Sequence, residues 1–166
     1  MNINTLTQPR SLLLLAAAVA ATSMASGYYV QHVEGIEPCP LCIVQRLGYI
    51  SAGSLALLGA VLGGHDWLRR LFAALASLCA LGGGGVAAWQ CWLIAHPPEW
   101  MSCGRPFAWM LENNSLVALI PKLFKGEGDC LTVTWTLLGL SIPQWSVLIF
   151  STMLVLLLTA LFKRRG

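Results

Sequence analysis

The sequence predicts an all-α membrane protein: a four-transmembrane-helix bundle, one domain over residues 1–166, with a short amphipathic helix in the second outer loop. Three observations lead there. Of 166 residues, 57% are hydrophobic and 10% charged, against about 25% charged in an ordinary soluble domain. Four runs meet the length for crossing a bilayer, roughly 17–25 mostly apolar residues. The basic residues gather at the ends of these runs, where they report topology. The net charge of +3 therefore implies no nucleic-acid partner, and the surroundings expected are a lipid bilayer.

The first run, Ser11–Val30, follows Arg10. Its opening, with the small residues Ser23-Met24-Ala25, has the layout of a secretory signal and cleavage site. The apolar stretch continues through Tyr28-Tyr29-Val30, longer than a signal needs, so the run is expected to stay as the first helix. The second run is Ile43–Gly63 and the third Leu71–Leu93. Within the third, Gly82-Gly83-Gly84-Gly85 strips one turn of side chains. In water each glycine costs about 1 kcal/mol relative to alanine, but between membrane helices the same absence allows close approach. A tight helix crossing is the expected use, a lipid-side groove for a flat ring the alternative. The fourth run is Trp145–Phe162.

Residues 95–143 form the one long connection, and loops of that length tend to be functional. Pro97-Pro98 should stop the third helix. Phe107–Phe124 mixes Trp109, Met110, Leu111, Val117 and Ile120 with Glu112, Asn113 and Asn114. It is too polar to span and too apolar to leave the surface, which fits an amphipathic helix lying on the outer membrane face.

Orientation follows from Lys and Arg near helix ends. Arg10, the Arg69-Arg70 pair, and Lys163-Arg164-Arg165 share one side of an even-spanned bundle, which should be the cytoplasm, with both termini. Six of the seven acids lie on the other side. So do Cys39, Cys42, Cys103 and Cys130, in a compartment where disulfides persist. Tyr28, Tyr29, Trp92, Trp100 and Trp145 are expected as interface anchors there, and Trp67 at the inner face.

Pro38-Cys39-Pro40-Leu41-Cys42 heads the second run. Pro40 suits the first turn of a helix, so the two cysteines should sit at a helix N-terminus, where the dipole favours negative charge and hence thiolate, the reactive form. Arg46 follows Cys42 by one helical turn on the same face, and its charge is expected to stabilise a Cys42 thiolate. An arginine within a span marks function by default, although at one turn from the interface its stem can also lift the charge into water. A CxxC also serves haem attachment, zinc and thioredoxin-like centres. Ile43 stands where haem attachment needs histidine, and the βαβ context of thioredoxin is missing. Zinc remains as an alternative, since the four loop cysteines could supply four ligands, but Cys103 and Cys130 lack the short spacing of a second half-site.

Cys103 and Cys130 form a second candidate pair. As a bond they would close a loop of about 28 residues and stabilise by about 3.5 kcal/mol on the chain-entropy account, a staple for the surface helix. The neighbours Gly104-Arg105 and Gly126-Glu127-Gly128-Asp129 point instead to exposed backbone, where disulfides are labile and catalytic. Cys79 and Cys91 lie in the apolar third run and are expected to behave as small hydrophobes.

With these residues in place the sequence resembles the disulfide bond formation protein B (DsbB) family of bacterial inner membranes. The resemblance rests on the four spans, Pro38-Cys39-Pro40-Leu41-Cys42 with Arg46, Gln31-His32-Val33 before them, Gly128-Asp129-Cys130, Leu138-Gly139-Leu140, and Pro143-Gln144-Trp145. It implies an enzyme, a protein-thiol:quinone oxidoreductase, that reoxidises a DsbA-type periplasmic thiol oxidase and passes two electrons to a membrane quinone, ubiquinone or menaquinone. On that resemblance Cys103 would form the mixed disulfide with the partner and Cys130 would relay to Cys39. Cys42 would stand against the quinone, and Arg46 would hold a quinone oxygen. His96 corresponds loosely to a quinone-side residue, with an interfacial histidine as its plainer role. The segment before Cys103 is short for the family. Two other functions compete: a vitamin K epoxide reductase-like quinone reductase, whose CxxC belongs near its last core helix, and a zinc-stapled membrane scaffold without enzymatic activity.

Overall fold

A computed structural model of the chain describes residues 8–35, 38–97 and 136–163. The amphipathic helix expected at Phe107–Phe124, together with Cys103 and Cys130, lies outside the described residues. Among the described residues there are four helices: α1 Pro9–Val33, α2 Pro40–Leu62, α3 Asp66–Ala95 and α4 Ile142–Phe162. Each is long and apolar enough to cross a membrane. Each packs on two neighbours in the ring α1–α2–α3–α4 that closes back on α1.

The helices run past the hydropathy boundaries because backbone hydrogen bonding continues to a cap after the apolar residues end. Pro9 and Pro40 occupy first-turn positions of α1 and α2, where a missing N–H costs nothing. Asp66 opens α3, an acid at the positive end of the dipole. Ser141 caps α4 in a reciprocal box: the Gln144 side chain accepts from the Ser141 backbone N–H at 2.8 Å, and Ser141 caps the Gln144 backbone in return. At 30 residues, or about 45 Å at 1.5 Å per residue, α3 exceeds the roughly 30 Å hydrocarbon layer and carries its first and last turns into the interfaces.

The centre of the ring is lined with alanine: Ala16 and Ala20 of α1, Ala52, Ala56 and Ala60 of α2, Ala73, Ala76 and Ala80 of α3, and Ala160 of α4 are all buried. Lipid tails are as apolar as leucine, so membrane helices gain from close packing of small residues and not from hiding large ones. Leucines accordingly point outward, among them Leu47, Leu57, Leu58, Leu78 and Leu81. The few large buried side chains fill specific gaps. Phe150 of α4 stacks on Tyr49 of α2, centroids 4.0 Å apart, and lies where a Cβ on Gly83 or Gly84 would fall. Two of the four consecutive glycines thus admit an aromatic ring, and the ring is the chain's own. Gly82 and Gly85 face open space.

Two features were not anticipated. Thr136–Leu137 (β1) and Leu140–Ser141 (β2) form a small antiparallel hairpin, Thr136 opposite Ser141, where the sequence suggested only loop. Its turn residues Leu138 and Gly139 both have positive φ, 54° and 80°, as the tightest hairpin turns require. Leucine is uncommon there, so the pattern of the sequence did not announce it. The second is Arg69, expected as a solvent-side topology marker. It is 1% exposed and donates to the carbonyls of Ala160 at 2.8 Å and Lys163 at 3.4 Å, with Asp66 at 3.2 Å. A cation there closes the last turn of α4, whose carbonyls have no partners within the helix and whose dipole end is negative.

Candidate active site at the head of the second helix

The C-terminal ends of α1 and α3 and the N-terminal ends of α2 and α4 share one end of the bundle, and the CxxC motif sits there. Cys39 is the N-cap residue of α2, with extended backbone, and its Sγ accepts from the Cys42 backbone N–H at 3.3 Å. A cap position normally held by Ser, Thr, Asp or Asn is here held by a sulfur. One turn of helix then brings Cys42 Sγ to 2.8 Å from Cys39 Sγ, closer than two sulfurs rest without interaction and beyond the 2.05 Å of a disulfide. Both cysteines are half-buried. Leu41 and Leu93 pack beneath them, with Val86 beside.

Across from the sulfurs, α3 contributes Gln90 and α2 contributes Gln45, two amides that the sequence reading passed over. They are 3% and 2% exposed. Gln45 Nε2 donates to Gln90 Oε1 at 2.7 Å, and Gln90 Nε2 lies 3.4 Å from Cys39 Sγ and 3.8 Å from Cys42 Sγ. A signal was available: polar side chains inside membrane helices are rare and turn inward, and Gln45 is one turn below Cys42.

Arg46 takes a different direction from the one expected. Its Nη1 donates to Gln31 Oε1 at 2.6 Å and its Nη2 to the Gly27 carbonyl at 3.0 Å, while the guanidinium lies 5.3 Å from the centre of the Tyr28 ring. All three partners belong to α1, and neither sulfur is among its hydrogen-bond partners. The physical reason is packing. Helix α2 lies between α1 and α3, and Arg46 is on its α1 side, where the Gly27 carbonyl and the Gln31 amide oxygen accept from the guanidinium. The motif therefore faces two neighbouring helices, with sulfurs and amides toward α3 and the arginine toward α1. His96, the C-cap of α3, finds both its ring and hydrogen-bond partner in Trp92. It extends an exposed stack with Trp89 and Trp92, spaced 5.0 and 5.3 Å, and has no hydrogen bond to Cys42 or Arg46. Cys79 packs against the alanine core and Cys91 is half-buried in α3.

At the same end, the Trp145 indole N–H donates to the Leu137 carbonyl at 3.0 Å, tying the hairpin to the first turn of α4. Tyr28, Tyr29 and Trp92 are exposed at this level, and Trp67 is exposed at the other end, the two-belt arrangement of interface aromatics.

Comparison with known proteins agrees with this arrangement. The family model "Disulfide bond formation protein DsbB" matches residues 9–160. A disulfide bond formation protein B of Azoarcus sp. (strain BH72) is 43% identical over 156 residues, covering 94% of each chain. That of Polaromonas naphthalenivorans (strain CJ2) is 44% identical over 161 residues, 97% of this chain and 94% of the relative. The protein of the same name from Verminephrobacter eiseniae (strain EF01-2) is 45% identical over 156 residues, 94% of this chain and 87% of the relative. A four-helix membrane bundle with a dithiol motif at the head of its second helix, matched over nearly its full length, places this chain in the DsbB family of disulfide bond formation proteins.

Proposed function

We propose that this chain reoxidises a DsbA-type periplasmic thiol oxidase by disulfide exchange and passes the two electrons to a membrane quinone, working as a protein-thiol:quinone oxidoreductase in the bacterial inner membrane. The observation that carries the reading is the 2.8 Å approach of Cys39 and Cys42 sulfurs at the mouth of a membrane helix, in a chain of this family. Thiol pairs so placed can meet a soluble partner from one side and a lipid-dissolved one from the other.

The chain's own residues divide the work. Cys103 would take the mixed disulfide with the partner protein, and Cys130 would relay to Cys39. Exchange requires a thiolate to attack a disulfide sulfur, and Cys39 is suited to receiving charge at the helix N-terminus, with backbone and amide donors around it. Cys42 is the sulfur on the membrane side. Arg46 has five N–H donors, and its two bonds to α1 fix the guanidinium while leaving donors for a carbonyl oxygen. These groups fit a quinone: Cys42 and Arg46 would hold it, His96 being at most an interfacial neighbour. When bound, the quinone supplies a two-electron, two-proton acceptor. The basic ends at Arg10, Arg69-Arg70 and Lys163 support a cytoplasmic location for both termini and a periplasmic one for the cysteines, the whole acting as one domain.

The test is purification from membranes, extraction of bound quinone, and measurement of quinone absorbance on adding a reduced thiol oxidase of the DsbA type. Loss of the oxidised-quinone band in step with partner oxidation is expected. A preparation that holds no quinone and transfers no electrons to added quinone overturns the reading.

A further inference from the structure

We infer that the buried Gln45–Gln90 amide pair tunes the Cys39–Cys42 couple: Gln45 fixes which way the Gln90 carboxamide faces, and Gln90 then stabilises the reduced pair with its negative charge on Cys39. The inference rests on the redox role proposed above and concerns how that site is set.

Two carboxamides in a membrane helix interface are costly unless hydrogen-bonded, and these are almost fully buried. Their geometry is directional. Gln45 Nε2 donates to Gln90 Oε1 at 2.7 Å, which occupies the oxygen end of Gln90 and turns its NH2 end toward the sulfurs. Turned over, Gln90 would set N–H against N–H at the Gln45 contact and present oxygen to Cys39. Against an ionised Cys39, which can only accept, this orientation is the one that satisfies both contacts, so Gln45 is a positioning residue acting through Gln90.

The two sulfurs then sit in unequal surroundings. Cys39 Sγ meets two amide donors, the Gln90 side chain at 3.4 Å and the Cys42 backbone N–H at 3.3 Å, with the Cys42 sulfur 2.8 Å away. Cys42 Sγ lies between the two ends of the same amide, 3.8 Å from Nε2 and 3.9 Å from Oε1, and can donate its proton to the oxygen. Hydrogen bonds to an ionised acceptor are roughly twice as strong as neutral ones. The arrangement therefore favours a reduced pair with the anion on Cys39 and the proton on Cys42. Arg46 does not compete for this role, since its hydrogen bonds go to Gln31 and Gly27.

In chemical terms, an external dithiol breaks the Cys39–Cys42 bond, supplying two electrons and closing into its own cyclic disulfide. One of its two protons ends on Cys42, and the other is released to water while Cys39 keeps the charge. Removing the amide donor raises the free energy of the reduced form and leaves the disulfide form nearly unchanged. The couple then becomes harder to reduce.

The experiment uses the full chain in detergent with Cys103→Ser and Cys130→Ser, so that this pair alone is read. The protein is equilibrated with mixtures of reduced and oxidised dithiothreitol, and alkylation at Cys39 and Cys42 is resolved by peptide mass. Gln90→Met is expected to shift the equilibrium at least tenfold toward the disulfide, about 30 mV for a two-electron couple, and to erase the preference for alkylation at Cys39. Gln45→Met, which touches neither sulfur, should move it less and in the same direction. A packing role alone would lower the melting temperature and leave the equilibrium within about twofold of the parent, and that result, or a shift toward the dithiol, overturns the inference. A parent protein that does not exchange with dithiothreitol at all removes the redox reading of Cys39 and Cys42 and this inference with it.

Discussion

Helix α3 reaches across the bundle at both of its ends, and the two crossings are built differently. Near its start Arg69 binds the carbonyls of Ala160 and Lys163 and the Asp66 carboxylate at 2.8–3.4 Å. Near its end Gln90 meets two sulfurs at 3.4 and 3.8 Å. The first crossing joins a cation to backbone acceptors that never change. The second joins a neutral amide to two sulfurs that, on the function proposed, break and remake bonds. Charged hydrogen bonds to fixed acceptors hold a helix end in place, whereas an amide beside a sulfur gains strength only in the redox state in which that sulfur is ionised.

Five substitutions break or sharpen that contrast. The largest effect belongs to Cys42→Ser, which should abolish quinone reduction by any donor, while Cys103→Ser loses only reduction driven by the protein partner and keeps that driven by a small dithiol. Equal, partial losses in both, followed by quinone absorbance, would contradict a division of labour among the cysteines. Next is Arg69→Met, which strands two carbonyls at the end of α4 and should cost about 3 kcal/mol. Thermal unfolding in detergent reads that loss, and an unaltered Cys39–Cys42 potential in the folded variant would show the two ends to be independent. Arg46→Lys keeps the charge but loses the planar fork that spans Gln31 and Gly27. A rise of about tenfold in the quinone KM, equivalent to about 1.4 kcal/mol, with little change in melting temperature is expected. The smallest effect is for Leu138→Gly, which relieves a left-handed leucine and should stabilise by about 1 kcal/mol, seen as a modest rise in melting temperature without change in turnover.

Hydropathy carried the fold a long way. All four helices overlap the runs read from composition, because the bilayer forces a helix wherever an apolar run is long enough. Apart from the one at Pro40, their ends were less legible, since Asp66 and the Ser141–Gln144 box are cap signals lying outside the apolar stretch. The hairpin escaped because its turn uses Leu138 where a pattern search looks for Asn or Asp.

For the site, the spacing of Cys39 and Cys42 with Pro40 between them led directly to a capped helix head. What surrounds them did not follow from sequence. Arg46, read as a partner of Cys42, is hydrogen-bonded to α1, and Arg69, read as a topology marker, is buried at its end of the bundle. Side-chain direction depends on which helices flank α2 and α3, and that is decided by the alanine and glycine faces that let the ring close. Gln45 and Gln90 are 45 positions apart in the chain, and only the α2–α3 packing brings them to a common depth.

Cys39 is also a cap, and that has a kinetic corollary. Its sulfur terminates the N–H of Cys42, and losing a side-chain cap costs a helix about 1 kcal/mol. Whenever Cys39 swings toward another sulfur, that amide loses its acceptor and the first turn of α2 opens to water. On the function proposed, deuterium uptake at the Cys42 amide would therefore rise with the fraction of time Cys39 spends away from its cap position, engaged with another sulfur.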